Sequence, residues 1–429
     1  MIRNAEVEAE RPSIDGVVAL DGPGLPLPAG PLDALGPTSW VRQSGRTWWA
    51  PHPGGGGPRS LKVKGVLSRG TRLRYEREAP PVYDPHPGFP PAEHLGVTAD
   101  GEFTMVPRSI APLDGLVEAA ARRELRNAAR LRDAGGAGPA PVGAWRYPDI
   151  AFRGERLGIV ALELPVAHPH RADVLTRLPD PDLPPPARRH ADGLVDLLGG
   201  RGPVELRRQR AISHVWTRFG TALSAFHGAG LYRYSGDPEN VVYDEGSDTC
   251  VLVDLDSSLD LARLEPQARG VQMARDVMSA ILNLAFSMLR IPVVAQFASS
   301  RQSADPFAAM LGAYYADTAV DARVLDPFLD YLGDVARRVT RWVDERGAHA
   351  SPDHDIHRCI RGDLDLLYLG LARITVDLHR SSAAARAIAP VPSEQAIDRS
   401  IVETMGRRYL DRCRTFTSWD SLDHRGQGS

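Results

Sequence analysis

His227-Gly228-Ala229-Gly230-Leu231-Tyr232-Arg233-Tyr234-Ser235-Gly236-Asp237-Pro238-Glu239-Asn240-Val241-Val242-Tyr243, followed by Val251-Leu252-Val253-Asp254-Leu255-Asp256, is the most strongly patterned stretch of this 429-residue chain. Before it, Ile212, Val215, Trp216, Phe219, Leu223 and Phe226 recur at helical spacing, so a helix from about Val204 ends at His227 against Gly228 and Gly230. After it come two short apolar runs, Val241–Tyr243 and Cys250–Val253, separated by Asp244-Glu245-Gly246-Ser247-Asp248. Runs of that length around a Gly- and Asp-rich segment read as a β-hairpin. Pro238-Glu239-Asn240 alone would be a polar turn; joined to Val-Asp-Leu-Asp at this separation it becomes a candidate site.

Far upstream, Leu61-Lys62-Val63-Lys64-Gly65 holds the only two lysines of the chain, every other basic position being Arg. An ammonium is a compact point charge on a flexible stem and a guanidinium a planar fork, so the two differ most where a phosphate is held in a narrow cleft. Two polar residues alternating with Leu61 and Val63 fit a strand, and strand alternation puts Lys62 and Lys64 on the same side.

The length suits two or three domains or one two-lobed enzyme, and 43% hydrophobic residues supply a sizeable core. A net charge of −3 offers no basic field for nucleic acid or an anionic membrane surface. Cys250, Cys359 and Cys413 are widely spaced and show neither a disulfide framework nor metal-ligand spacing. The acidic start lacks the apolar core of a signal peptide, and no apolar run reaches the roughly 18 residues of a membrane span; a reducing cytoplasm is the expected location.

Pro- and Gly-rich stretches at 20–36 and 50–58 make the first hundred residues short strands and loops. A helix is expected within Leu113–Asp133, ending near Gly135-Gly136, and a buried strand within Arg153–Pro165. The prolines of 178–203 suggest an insertion or mobile loop, and from about Pro266 to Arg414 the pattern is helical almost throughout. The layout is α+β and two-lobed: an extension at 1–36, a β-rich part with one helix at 37–164, and a mainly helical part at 165–429.

The His227–Asp256 arrangement resembles the catalytic loop and metal-binding strand of the protein-kinase-like superfamily, including the aminoglycoside phosphotransferases, and the likeness spans roughly residues 40–290. It implies a kinase-like fold using ATP and Mg2+, in which Asn240 and Asp254 bind magnesium and Asp256 assists or caps the next turn. Phosphoryl transfer needs such residues because oxygen donors hold magnesium across the phosphates while a lysine neutralises them and a carboxylate orients the acceptor hydroxyl. Lys64 matches the phosphate-binding lysine, with Lys62 beside it, and Glu124 matches its ion-pair partner. Leu162-Glu163-Leu164 takes the place of the interlobe hinge, where the backbone of Glu163 and Leu164 would meet the adenine edge. Asp276 resembles the buried residue that anchors the catalytic loop.

The chain departs from that family at one point. Aligned on Asn240, the catalytic Asp position is held by Ser235, and the available carboxylate, Asp237, lies three positions before Asn240 rather than five. Either Asp237 is the base on a remodelled loop, or it binds metal and the acceptor is activated otherwise, or transfer is lost. The selenoprotein-O-like branch, whose members transfer AMP, has motifs similar to Leu61-Lys62-Val63-Lys64-Gly65 and Arg123-Glu124-Leu125. The expected partner is a small-molecule acceptor, or a protein substrate under AMP transfer, with neither nucleic acid nor membrane. Gly54–Gly57 makes a weak phosphate loop, His168, His170, His354 and His357 fit surface or capping roles, and Trp48-Trp49 fits core packing.

Overall fold

The structure, a computed structural model, describes residues 17–20, 41–42, 47–52, 59–67, 93–97, 103–107, 115–152, 155–168, 170–178, 183–233, 240–289, 305–346, 371–393 and 396. Helix and antiparallel sheet are combined, as an α+β reading requires. The chain divides into two units, one comprising Met1–Pro80, Pro107–Pro169 and Asp244–Ser258, the other Pro81–Val106, His170–Tyr243 and Leu259–Ser429.

The first unit is built on a six-stranded antiparallel sheet in the order Val18–Ala19, Ala140–Phe152, Glu155–Leu164, Arg59–Lys64, Thr47–His52, Val41–Arg42. Alternation along Arg59–Lys64 sends Leu61 and Val63 to one face, where they join Trp48, Trp145, Tyr147, Leu157 and Ile159 in a buried cluster. Each such aliphatic side chain contributes about 1.5–3 kcal/mol by leaving water. Lys62 and Lys64 point to the other face, opposite Leu162 and Val160 of the neighbouring strand.

The helix Glu118–Asp133 packs on that second face, and two glycines set how closely. Gly65 has φ +92, and a Cβ there would lie 2.3 Å from the carbonyl oxygen of Gly158; a Cβ on Gly158 would lie 2.9 Å from Cα of Glu118. The Gly158 N–H donates to the Leu116 carbonyl at 2.8 Å, fixing the approach to the helix. Ala120, Ala121, Leu125, Ala128 and Leu131 form the buried stripe. At the far end Gly135, with φ +77, turns the chain left-handed, and the Gly136 N–H returns to the Leu131 carbonyl, a stop that glycine makes without steric penalty.

The Ala140–Phe152 strand is missing from the sequence reading, which places nothing between Gly136 and Arg153. Pro141, Gly143 and Pro148 break the alternation there, and the strand carries register shifts at Pro141/Gly143 and Arg146/Ala151. Irregularities of this kind accommodate residues that a regular ladder rejects.

In the second unit residues 178–203, expected to be an insertion or mobile loop, include a helix, Pro185–Leu198, which corrects the mobile-loop alternative. Pro185 and Pro186 occupy its first turn, where the N–H that proline lacks has no intrahelical partner anyway. The helix Val204–Gly228 buries Ile212, Val215, Trp216, Phe219, Leu223 and Phe226, the predicted face. Gly220 brings it against the helix Asp305–Tyr314, since a Cβ there would meet the Met310 carbonyl oxygen at 2.3 Å. Further helices run over Pro266–Leu289, Asp326–Arg346, residues 371–381 and Ala383–Ile388. Among the described residues no helix is long and apolar enough to cross a membrane. Cys250 is buried; Cys359, Cys413, His354, His357 and Gly54–Gly57 lie outside the described residues.

Candidate functional site

Both lysines are buried, with residue exposures of 1% for Lys62 and 2% for Lys64. Removing an ammonium from water is costly unless counter-charge is close, and here the first unit supplies three carboxylates. Lys62 Nζ lies 2.5 Å from Oδ1 of Asp254. Lys64 Nζ lies 2.7 Å from Oδ1 of Asp256, 3.3 Å from the same Asp254 oxygen, and 3.3 Å from Oε2 of Glu124. Two ammoniums thus face three carboxylates, and one oxygen of Asp254 is shared between both.

The acidic turn is held open by its backbone. Asp254 adopts φ 58 and ψ 52, a left-handed conformation that costs a non-glycine residue on the order of 1–3 kcal/mol unless its surroundings impose it. The surroundings are side chains of the Glu118–Asp133 helix. Asn127 Nδ2 donates to the carbonyls of Leu255 and Ser258, each at 2.9 Å, and Arg123 Nε donates to the carbonyl of Asp256. Arg123, Glu124 and Asn127 share one helix face, so the surface that presents Glu124 to Lys64 also grips the turn that presents Asp254 and Asp256.

Glu124 is fully buried, and neither of its carboxylate oxygens accepts a hydrogen bond. Burial pushes its carboxyl above the usual glutamate range, opposed by the Lys64 charge and assisted by Asp256. Asp254 is the most open member, its side chain 25% exposed. Ligand oxygens of Glu124, Asp254 and Asp256 lie within 4.8 Å of one another. Carboxylates alone are the hard oxygen donors suited to Mg2+ or Mn2+ rather than to a thiophilic metal, so the residues present fit such a cation.

The strand Glu155–Leu164 carries the two hinge candidates. Glu163 pairs in register with Leu61, on the face opposite the lysines, and its carboxylate meets Arg59 Nη1 at 2.5 Å. Leu164 is opposite Ser60 and buried.

The second unit holds a polar network of another kind. His227, last but one in its helix, has Nδ1 at 2.5 Å from the Tyr314 hydroxyl and Nε2 at 3.1 Å from Oδ2 of Asp276. The same Asp276 oxygen accepts the Arg233 backbone N–H at 2.6 Å. Burial pushes the Asp276 carboxyl up, against the hydrogen bond and charge of His227. The backbone of Arg233 is therefore tied to the Pro266–Leu289 helix where the chain enters residues 234–239. Ser235 and Asp237 lie outside the described residues. Asn240, half-buried, immediately precedes the strand Val241–Asp244, and its carbonyl accepts from Arg233 Nη1 at 3.4 Å.

Of the residues singled out from sequence, Lys62, Lys64, Glu124, Asp254 and Asp256 form one cluster. The sequence reading missed Asn127, although Arg123 and Asn127 stand four apart on the helix, the spacing that puts two side chains on one face. It also missed Tyr314, which lies 87 positions from His227 and has no local signature.

No protein-family model and no curated protein matches the chain. A solved chain described as WaaP in complex with acyl carrier protein is similar at 12% identity and a TM-score of 0.32, over 72% of this chain and 90% of that one.

Proposed function

We propose that this chain is an ATP- and magnesium-dependent phosphotransferase with a kinase-like two-lobed fold, acting on a hydroxyl of a small polar metabolite or natural product. The observation that carries the reading is the convergence of the only two lysines in the sequence on Glu124, Asp254 and Asp256. In this reading Lys64 neutralises phosphate oxygens and Glu124 orients it. Asp254, Asp256 and Asn240 hold magnesium, Asp237 orients the acceptor hydroxyl, and the backbone of Glu163 and Leu164 meets the base. Bound magnesium would spread the phosphate charge, the electrostatic part of phosphoryl transfer. The mainly helical region 165–429 would shape the acceptor pocket.

A second reading, AMP transfer to a protein or small molecule, draws on the likeness of Leu61–Gly65 and Arg123–Leu125 to AMP transferases and on the grip of Arg123 on the acidic turn. Incubation with ATP, Mg2+ and a panel of hydroxylated small molecules, read by product mass, separates the two, because phosphate and adenylate add different masses. Asp254→Ala is expected to lower turnover by about 10²–10³-fold, the size of a lost electrostatic contact to developing charge. Full activity in that variant overturns the assignment. Nucleotide-dependent stabilisation without turnover across the panel would make the chain a nucleotide-binding pseudokinase.

A further inference from the structure

Phosphate binding, as proposed above, needs one lysine beside Glu124, and Lys64 is that lysine; a second buried ammonium is left over. Lys62 sits at 2.5 Å from Asp254 Oδ1, closer than Lys64 comes to the same atom. It is 1% exposed, whereas Asp254 is the open member of the cluster. The carboxylate most open to a cation arriving from solvent thus already has one of its two oxygens held by a fixed positive charge. A divalent cation coordinates carboxylate oxygen at about 2.0–2.6 Å; on Asp254 Oδ1 it would sit within a few ångströms of the Lys62 ammonium, with little water between to screen the repulsion. Glu124 is fully buried and, beyond the Lys64 ammonium 3.3 Å from Oε2, makes no hydrogen bond, so the cluster keeps acceptor capacity there.

We infer that Lys62 is a positioning residue that occupies Asp254 while the site is empty and gives it up to a divalent cation only when polyphosphate oxygens take over the ammonium. The inference rests on the phosphotransferase reading. Metal and polyphosphate then bind as a coupled pair, and the coupling is reciprocal: each strengthens the other by the same factor. A lone metal competes with a tethered ammonium, and a lone polyphosphate must draw Lys62 from a bare carboxylate that keeps its negative charge facing the phosphates.

The test uses the full chain, Mn2+ and ATP, with calorimetric titration and thermal denaturation as readouts rather than turnover. Lys62→Met keeps the length of the stem and removes the charge. It is expected to bind Mn2+ alone at least tenfold more tightly than wild type, and to bind ATP in the absence of metal at least tenfold more weakly. Lys62→Arg, which keeps the charge, is expected to exclude Mn2+ as wild type does. Mn2+ affinity of folded Lys62→Met within twofold of wild type overturns the inference, as does unchanged ATP affinity. Should Lys62→Met not fold, Lys62→Gln takes its place with the same two titrations and the same outcomes, and wild-type Mn2+ binding as tight without ATP as with it overturns the idea in either case. If wild type binds ATP but Lys62→Met behaves identically, only the role of Lys62 falls; if no form binds ATP, the phosphotransferase reading falls with it.

Discussion

Two buried polar clusters, one in each unit, differ in how their charges are satisfied. Around Asp254 the partners are ammonium groups on long stems, and one carboxylate oxygen serves two of them. Around Asp276 the partners are an imidazole ring and a backbone N–H, the ring is fixed on its other side by Tyr314, and His227 and Asp276 are both 0% exposed. The first arrangement can exchange partners, since ammoniums swing and one member opens to solvent. The second cannot move without breaking main-chain geometry. Surplus, exchangeable charge is how a ligand site is built, and a carboxylate spent on backbone is how a scaffold is built.

The sharpest way to break this contrast is to delete each carboxylate and compare stability with binding. Asp276→Ala leaves the Arg233 N–H and His227 without their acceptor inside the protein and is expected to cost about 3 kcal/mol in chemical denaturation. Asp254→Asn, at a partly open position and with an amide oxygen kept beside Lys62, is expected to leave the unfolding midpoint within a few degrees of wild type. Equal destabilisation by both would erase the distinction between site and scaffold. A smaller effect, about 2 kcal/mol, is expected from Gly65→Ala, which forces a side chain into a left-handed backbone and against the Gly158 carbonyl. Because that contact sets how the helix Glu118–Asp133 meets the sheet, the variant should also weaken ATP binding; a loss of stability with ATP affinity intact would separate the helix from the site.

The smallest effect lies in the pH dependence. Burial raises the Asp276 carboxyl above its ordinary value, so the native state takes up a proton that the unfolded chain releases at lower pH. Its favourable contribution is complete below the unfolded value and is lost as pH rises through the folded one. Asp276→Asn, which keeps an oxygen acceptor for Arg233, is expected to flatten that part of a stability–pH curve. An unchanged slope would mean that Asp276 does not titrate differently in the folded and unfolded chain.

How much of this was legible in the sequence follows from how local each signal is. Lys62 and Lys64 stand out because composition isolates them, and strand alternation puts them on one face. Glu124 and the Val253-Asp254-Leu255-Asp256 turn show in short motifs at the ends of regular elements. The Ala140–Phe152 strand stayed hidden because Pro141, Gly143 and Pro148 interrupt its period, and the Pro185–Leu198 helix because prolines that start a helix look, in isolation, like those that forbid one. Asn127 and Tyr314 act through partners 128 and 87 positions away, and pairing at that range leaves no pattern in the neighbouring residues. The left-handed backbone of Asp254 had no signal either: nothing in a Val-Asp-Leu-Asp string distinguishes it from an extended strand end, and the hydrogen bonds from Asn127 and Arg123 that hold the turn come from far away in sequence.

The rarity of lysine gives the cluster a chemical signature. Primary amines occur on just two side chains of the whole sequence, and both are shut away beside Asp254. An amine-selective acylating reagent, indifferent to the many guanidiniums, can modify a side chain of the native protein only when that cluster opens. The rate of labelling is therefore a direct clock on the opening of the site, slowed by whatever fills it.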